Sequence, residues 1–372
     1  MRLEAVELRR IEMPLVAPFR TSFGTEAVRD ILLLKAITNE CDGRGECCAL
    51  TAPLYSSEYV DGCAHALRQH LLPRLFAAPT LTAAAVAELL RPVQGHRMAK
   101  AAIEMALLDA ELRAARQSLA HHLGGVRETV AVGVSVGIHE SIPALLHTVE
   151  GYLAEGYARI KLKIEPGWDV EPVRAVRERF PDVLLQVDAN AAYTLADARR
   201  LARLDAFDLL LIEQPLPEEQ VRAHAQLAAR LATPICLDES IVSAQAAADA
   251  IAMRACAIVN VKPSRVGGYL EARRIHDVCR AHGVPVWCGG MLETGLGRAG
   301  NVALAALPGF TLPGDISASG RYYRRDITGP FVLEQGRLRV PAGPGLGVEV
   351  DEAVLREVTT SVATVDRKGG TE

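Results

Sequence analysis

Five short segments decide the fold: RIKLKI at residues 159–164, VDAN at 187–190, LIEQP at 211–215, CLDES at 236–240 and NVKPS at 260–264. Each contains an apolar run next to a charged residue, and these charged residues are Lys163, Asp188, Glu213, Asp238 and Lys262. Successive members of this set are 25, 25, 25 and 24 residues apart. One strand and one helix of an α/β barrel take about that length, since eight such units make roughly 250 residues. The spacing therefore predicts parallel barrel strands that end in charged side chains.

The pattern changes on both sides of these segments. Strand-like runs continue from TVAVGVSVGI (129–138) to PVWCGG (285–290), and the segments between them carry an apolar stripe and a charged face. Before residue 125, strand-like alternation at 6–18 and 31–37 precedes three helical patterns. After Asp315 the chain becomes rich in Gly and Pro. We therefore predict an α/β fold with an N-terminal α+β unit, a barrel and a closing segment that leaves the barrel.

The composition is typical of a globular protein that acts on small molecules. Of 372 residues, 49% are hydrophobic and 23% charged, and the net charge of -4 gives no basic surface for nucleic acid or an anionic membrane. No basic leader follows Met1, and no apolar run reaches the ~20 residues of a membrane span, so we expect a cytoplasmic protein. The eight cysteines lack C-x-x-C spacing, which favours free, mostly buried thiols.

Three carboxylates on consecutive predicted strands suggest a metal site. Asp188, Glu213 and Asp238 would converge at the C-terminal mouth of the barrel, where they would repel one another unless a cation neutralised them. Carboxylate oxygens are the ligands that Mg²⁺ prefers. The alternative for each acid alone is an ordinary strand-end residue in solvent or beside an arginine.

Two lysines flank the first of these acids. Lys161 and Lys163 are two residues apart on a strand, so both side chains point to the same face. A second ammonium group and a nearby Mg²⁺ would depress the pKa of a lysine and make it a usable base. The alternative is that the lysines only pair with Asp188 or Glu213.

RIKLKI, VDAN, LIEQPL, CLDES, NVKP and GGMLETGLGRAGN (289–301), in this order, resemble the muconate-lactonizing subgroup of the enolase superfamily, and its N-acylamino acid racemase/o-succinylbenzoate synthase branch in particular. The likeness includes PFRTSFG (18–24), LYSSEY (54–59), GHRMAKAAIEMALLDAE (95–111) and PAGPGLGV (341–348), and so covers nearly the whole chain. It implies a modified TIM barrel of the (β/α)7β type at residues 126–320. An α+β capping domain at 1–125 and a C-terminal segment at 321–372 that returns to the cap would complete the fold.

The resemblance also assigns roles to individual residues. It implies that Asp188, Glu213 and Asp238 bind Mg²⁺, with Mn²⁺ or another divalent ion as a substitute. It makes Lys163 and Lys262 the acid/base pair on opposite faces of the substrate α-carbon, with Lys161 modulating Lys163. The residues expected to bind substrate are Phe19, Phe23, Leu50, Tyr55, Ser135, Met291 and Asp315. Those expected to support the site are Asn190, Glu239, Ser240 and Arg265.

Several of these positions have a second interpretation. The four residues of the cap are equally consistent with core packing, and Arg265 is either a group that tunes Lys262 or a solvent-facing loop arginine. Arg44 stands where relatives lead us to expect an aromatic residue, which leaves its effect on the cap open.

The expected reaction is Mg²⁺-dependent removal of the proton next to a carboxylate of a small-molecule substrate. It would serve N-acylamino acid (N-succinylamino acid) racemisation, the dehydration that forms o-succinylbenzoate in menaquinone synthesis, or both. A dipeptide epimerase or muconate cycloisomerase of the same superfamily is the alternative. A Schiff-base aldolase would need one lysine but no acid triad, and a non-catalytic relative would not need all five charged positions. Relatives lead us to expect a homo-oligomer.

Overall fold

The computed structural model describes residues 1–368, so residues 369–372 of the predicted C-terminal segment lie outside the described residues. The strands are β1 (Leu3–Thr21), β2 (Gly24–Thr38), β3 (Gly43–Cys47), β4 (Thr129–Ala131), β5 (Val134–Val136), β6 (Arg159–Lys163), β7 (Leu184–Asp188), β8 (Ile212–Glu213), β9 (Ile235–Leu237), β10 (Ile258–Val261), β11 (Val286–Cys288), β12 (Arg337–Arg339) and β13 (Thr359–Asp366). The α-helices are α1 (Val60–Ala66), α2 (Leu72–Ala77), α3 (Ala83–Leu89), α4 (Arg97–Ala114), α5 (Leu119–Leu123), α6 (Ile142–Glu155), α7 (Val170–Arg179), α8 (Ala198–Leu201), α9 (Val221–Ala228), α10 (Ala244–Ala252), α11 (Pro263–Val266), α12 (Tyr269–Ala281), α13 (Gly295–Ala305) and α14 (Glu352–Val358).

Strands β5 to β11 form one parallel sheet in sequence order. The segment 310–315 lies between its two edges: Gly133 N donates to Gly314 O at 2.8 Å, and Asp315 N donates to Cys288 O at 2.9 Å. This segment acts as an eighth strand that has no helix after it. The (β/α)7β barrel expected from the resemblance is therefore confirmed.

A four-stranded antiparallel sheet in the order β13-β1-β2-β3 forms the cap. Strand β13 pairs with β1, so the C-terminal part of the chain joins the N-terminal sheet. Helix α4 packs closely on β3, where a Cβ at Gly43 would overlap the backbone oxygen of Ala106. Arg44 fits beside this contact, because its backbone N–H donates to Asp109 Oδ2 at 2.9 Å and its guanidinium pairs with Glu352. The domain boundaries at residues 125 and 320 stay predictions.

Two buried carboxylates of the cap bind the first turns of barrel helices. Glu46 in β3 accepts hydrogen bonds from the backbone N–H groups of Thr294 at 3.0 Å and Gly297 at 2.9 Å, at the start of α13. Glu104 in α4 accepts one from Leu270 N at 3.1 Å, at the start of α12. Unpaired N–H groups and the helix dipole favour acidic groups at these ends. These contacts fix the cap across the mouth of the barrel.

No helix within residues 1–368 has the length and apolar character needed to cross a membrane. All eight cysteines are free thiols and seven of them are buried, as the sequence predicted.

Candidate active site

A cavity lies between the C-terminal ends of the barrel strands and the cap. It is lined by Phe19, Thr21, Phe23, Glu26, Leu50, Tyr55, Ser135, Lys161, Lys163, Asn190, Lys262, Gly290, Met291, Leu292, Asp315 and Tyr322. The structure thus brings together all seven residues predicted to bind substrate and all three predicted lysines. The walls contributed by the cap are mainly apolar, whereas the barrel floor is charged.

Lys161 lies at the centre of the floor. Its Nζ donates to Asp188 Oδ2 at 2.9 Å and to Glu213 Oε2 at 2.8 Å, and it pairs with Asp315 Oδ2 at 2.6 Å. It also lies 4.9 Å from the ring centroid of Trp287. Burial lowers the pKa of Lys161, but the three carboxylates outweigh burial and raise it well above its usual value. Lys161 is therefore held as an ammonium group.

Lys163, the last residue of β6, lies next to Lys161 on the same face of the strand. Its Nζ donates to Asp188 Oδ2 and to Asn190 Oδ1, both at 2.6 Å. The pairing of lysines with Asp188 and Glu213, which the sequence left open, is thus present in the structure. It places Lys163 Nζ at the wall of the cavity.

Lys262 lies immediately after β10. Its Nζ donates to Asp238 Oδ2 at 2.7 Å and to the Tyr55 hydroxyl at 3.0 Å. Burial lowers its pKa, but Asp238 outweighs this and raises the pKa well above its usual value. In both Lys161 and Lys262, the attraction of buried carboxylates therefore outweighs the effect of burial on the pKa.

Arg265 is buried and binds the other oxygen of the same acid. Its Nη2 pairs with Asp238 Oδ1 at 2.9 Å, and its Nη1 donates to the backbone oxygen of Ile241. The alternative of a solvent-facing arginine is therefore wrong. Asp238 is shared between Lys262 and Arg265, so the position of Arg265 affects how strongly Asp238 holds Lys262.

The three acids expected to bind metal are fully buried below the cavity. Burial, followed by the charge of Asp188, raises the pKa of Glu213 to about 8. Burial also acts to raise the pKa of Asp188 and of Asp238, but their lysine partners outweigh it, and the pKa of each is lowered. Glu213 also accepts a hydrogen bond from Asn260 Nδ2 at 2.6 Å. Neighbouring positive charges therefore outweigh the cost of burying ionised Asp188 and Asp238. They do not outweigh it for Glu213.

This donor set fits a hard divalent cation. Three buried carboxylates supply the oxygen ligands that Mg²⁺ prefers, and an added positive charge would let Glu213 ionise at neutral pH. Within residues 1–368 no three His, Cys, Asp or Glu side chains are already gathered into a metal-binding cluster. Instead, one oxygen of each of the carboxylates Asp188, Glu213 and Asp238 pairs with a lysine ammonium group.

The residues predicted to support the site form a chain of hydrogen bonds around it. Asn190 Nδ2 donates to Glu239 Oε1 at 3.0 Å, which connects the ends of β7 and β9. The Ser240 hydroxyl donates to Glu218 O at 2.7 Å and accepts from Gln214 Nε2 at 2.8 Å. These contacts fix the loops that carry Lys163's partner Asn190 and the acid Asp238.

Sequence reasoning missed three buried residues. Gln214 Oε1 accepts hydrogen bonds from Asp238 N at 3.0 Å and Ser240 N at 3.2 Å, and its backbone has a φ of 37°. Trp287 packs on Lys161, and Arg159 pairs with Asp315 at 2.6 Å. The sequence could have indicated Gln214, because it directly follows the candidate ligand Glu213 and precedes Pro215. Trp287 gave none, since it sits in an ordinary apolar strand.

Two cap segments form the lid of the cavity: the hairpin between β1 and β2, and the segment 50–55. The hairpin between β1 and β2 reaches the barrel, where Ser22 Oγ donates to Ala189 O at 3.3 Å and Arg20 pairs with Glu165 at 3.1 Å. Phe23 at its tip contacts Tyr55 of the second segment, with ring centroids 5.9 Å apart. An aromatic contact therefore joins the two segments of the lid, and polar contacts join the hairpin to the barrel.

Lysines and carboxylates at the C-terminal ends of the strands, covered by a cap, are typical of an enzyme built on an α/β barrel. Residues 144–354 match the family model described as enolase C-terminal domain-like, and residues 5–124 match the mandelate racemase/muconate lactonizing enzyme N-terminal domain. The chain belongs to this mandelate racemase/muconate lactonizing enzyme family of the enolase superfamily.

The chain is also similar over its whole length to individual proteins. It is 69% identical to an N-succinylamino acid racemase of Amycolatopsis sp., over 97% of this chain and 98% of that protein. It is 47% identical to an o-succinylbenzoate synthase of Geobacillus kaustophilus, over 96% of both. A solved enolase-superfamily structure from Listeria innocua superposes with a TM-score of 0.95 at 41% identity, covering 99% of this chain and all of the other.

Proposed function

We propose that the chain catalyses Mg²⁺-dependent removal of the proton next to a substrate carboxylate, in N-succinylamino acid racemisation and in the dehydration that forms o-succinylbenzoate. One observation carries this proposal. Lys163 at the end of β6 and Lys262 directly after β10 face a single cavity, and Asp188, Glu213 and Asp238 lie at or directly after the ends of the three strands between them. The two lysines therefore lie across the barrel mouth from each other, with the carboxylates between them.

A divalent cation would be held by Asp188, Glu213 and Asp238. When bound, Mg²⁺ would supply Lewis-acid stabilisation of the second negative charge that proton removal places on the substrate carboxylate. A carboxylate engaged by a divalent ion holds an ammonium group less tightly, which favours the neutral amine of Lys163 and Lys262. A neutral amine is the form that can accept a proton.

The lysines would divide the proton transfers between the two faces of the α-carbon. In racemisation, Lys163 removes the proton from one enantiomer and Lys262 delivers a proton to the opposite face, with the roles exchanged for the other enantiomer. Lys161 stays an ammonium group between Asp188, Glu213 and Asp315, where its charge favours the neutral form of Lys163.

In the dehydration, the same first step is followed by cleavage of the bond between the β-carbon and its hydroxyl group, which takes up the proton that Lys163 has removed and leaves as water. Lys163 would act as the base, and Lys262 would contribute a positive charge near the intermediate. Since both reactions begin alike, one site can serve both. The similarity of the chain to an N-succinylamino acid racemase and to an o-succinylbenzoate synthase agrees with that. A dipeptide epimerase or muconate cycloisomerase is less favoured, because the relatives at 69% and 47% identity carry neither name.

Proton NMR in D₂O tests the proposal. The protein, freed of metal by chelation and then given Mg²⁺ or Mn²⁺, is incubated with N-succinyl and N-acetyl amino acids, and loss of the α-proton signal is followed. An ultraviolet assay follows o-succinylbenzoate in parallel. Exchange that needs the added cation is the expected result. Exchange at the same rate after exhaustive chelation would contradict the metal assignment, and no exchange with any substrate would contradict the reaction.

The proposal extends to the cellular setting. The dehydration would place the protein in menaquinone synthesis, in the cytoplasm, and relatives lead us to expect a homo-oligomer. Size-exclusion chromatography with light scattering measures the assembly directly.

A further inference from the structure

Glu26 is a charged residue of the lid that the proposed chemistry does not use. It lies on β2 directly opposite Phe19 of β1, and Thr21 pairs with Gly24 nearer the tip of the same hairpin. Residues paired across two antiparallel strands project from the same face, and residues two apart on a strand do so too. Phe19, Thr21 and Glu26 therefore point together into the cavity, which all three line.

No cation is paired with Glu26 within residues 1–368. The neighbouring Arg20 is engaged with Glu165 on the barrel. Arg321 lies against the ring of Phe19 but does not line the cavity. A half-buried carboxylate without a partner leaves an uncompensated negative charge on the wall that faces the substrate.

The charges of the cavity are divided between its two ends. The lining cations are Lys161, Lys163 and Lys262, all on the barrel floor, where the substrate's α-carboxylate would bind. Among the lining residues from the cap, Glu26 alone is charged. The floor lysines are paired with carboxylates, so a substrate group that extends from the floor towards the hairpin approaches the one charged lining group without an ion-pair partner among the described residues, Glu26.

We propose that Glu26 is a specificity-determining residue that selects N-acylamino acids with a cationic side chain, such as lysine or arginine, over those with an anionic side chain. The inference rests on the proposed function, whose substrates carry a carboxylate on the acyl arm. A carboxylate wall disfavours that arm, so the side chain of the amino acid is the group that Glu26 meets. The side-chain ammonium or guanidinium group forms a charge-assisted hydrogen bond with it.

The experiment compares the wild-type chain with Glu26→Gln, which keeps the shape of the side chain and removes its charge. The values of kcat/KM and Kd are measured for N-succinyl-lysine, N-succinyl-methionine and N-succinyl-glutamate, and for N-acetyl-methionine. Glu12→Gln is the matched control, because Glu12 is exposed on β1 of the same hairpin and does not line the cavity.

In Glu26→Gln, we expect kcat/KM to fall about fivefold for the lysine substrate and to rise about fivefold for the glutamate substrate, the range for partly exposed charge pairs. Both changes shrink at high salt, which screens exposed charges. The methionine substrates and the Glu12→Gln control stay within about twofold of the wild type.

An unchanged side-chain ranking in Glu26→Gln overturns the inference, as does an equal shift in Glu12→Gln. A changed ratio of N-succinyl- to N-acetyl-methionine with an unchanged side-chain ranking also overturns it, because Glu26 would then face the acyl arm. Absence of turnover with all four substrates overturns the proposed function. The Kd values still decide in that case whether Glu26 selects by charge.

Discussion

The floor of the cavity and its lid are held by different kinds of interaction. On the floor, Lys161, Lys163 and Lys262 each donate to at least two oxygen atoms at 2.6–3.0 Å. The hairpin of the lid touches the barrel through contacts such as Ser22 Oγ to Ala189 O at 3.3 Å and an exposed ion pair. Charge-assisted bonds among buried groups fix geometry, whereas an apolar lid can be repacked at small cost. The difference indicates that the reaction depends on the barrel and the choice of substrate on the cap.

Glu213→Gln changes one of the three proposed metal ligands on the floor and has the largest expected effect. The side chain keeps its shape but loses a charged metal ligand, so racemisation and hydrogen exchange of both enantiomers should fall by on the order of a thousandfold or more. Steady-state assays over a range of Mg²⁺ concentrations and calorimetric Mg²⁺ titration measure the loss. An unchanged circular dichroism spectrum establishes that the fold is retained.

Glu239→Gln is the matched control for this change. Glu239 is also buried, burial also raises its pKa to about 8, and it follows Asp238 directly, but it is not one of the three proposed ligands. An equal loss in both variants would show that the floor needs its buried charges in general and would contradict a specific metal role for Glu213.

Replacing one lysine separates the two sides of the floor. In Lys262→Ala, racemisation should fall below detection, while Lys163 still exchanges the α-hydrogen of one enantiomer with solvent deuterium, without inversion. Lys163→Ala should show the opposite enantiomer preference. The measurement is proton NMR of each pure enantiomer in D₂O with chiral analysis of the recovered substrate. A single variant that exchanges both enantiomers equally would mean that one base reaches both faces.

Dehydration should respond differently to the same positions. Lys163 is required as the base, so Lys163→Ala should abolish o-succinylbenzoate formation. Lys262→Arg should keep more of this activity than Lys262→Ala, because the arginine keeps the positive charge. Equal activity of the two Lys262 variants would contradict a role for that charge.

The floor could be predicted from the sequence because its geometry follows from the repeat of the barrel. A period of about 25 residues places Lys163, Asp188 and Glu213 at the ends of their strands, and Asp238 and Lys262 one residue beyond theirs, at one edge of the sheet. The upward shift in the pKa of Lys161 and Lys262 could not be predicted from the sequence, because it depends on how many carboxylates approach each ammonium group. That number is a property of the closed barrel.

The lid could be predicted only in outline. Its motifs indicated that Phe19, Phe23, Leu50 and Tyr55 cover the barrel. The alternation of residues along the strands does not show which barrel residues these side chains contact. The contact of Tyr55 with Lys262 joins residues 207 positions apart, and no local pattern signals it. Glu26 was missed for the same reason, since its neighbours in the cavity are set by how the cap sits on the barrel.

Tyr55→Phe tests the point where lid and floor meet. The ring would stay over Lys262 Nζ, now 4.7 Å from its centroid, but the hydroxyl that contacts Lys262 and Asp238 would be lost. Since this contact involves the proposed acid/base group, kcat should fall by about tenfold for every substrate, as expected when one hydrogen bond to a charged group is removed. Steady-state kinetics on N-succinyl and N-acetyl substrates measures it. A change confined to one acyl group would place Tyr55 among the residues that select substrate.

Phe23→Ala should have the smallest effect on the reaction and the clearest effect on substrate ranking. Phe23 lies at the tip of the hairpin, between the paired residues Thr21 and Gly24, and its ring contacts that of Tyr55. Such a wall provides binding energy and excludes water, so its loss should raise KM for substrates with large apolar groups by several-fold and leave kcat of the best substrate within about threefold. The panel compares N-succinyl derivatives of alanine, methionine and phenylalanine. Leu54→Ala is the control, because Leu54 is an exposed apolar residue of the neighbouring loop that does not line the cavity. Equal losses of kcat across the whole panel would show that Phe23 instead holds the floor in its active arrangement, and the separation of reaction from selection would then not apply to this part of the lid.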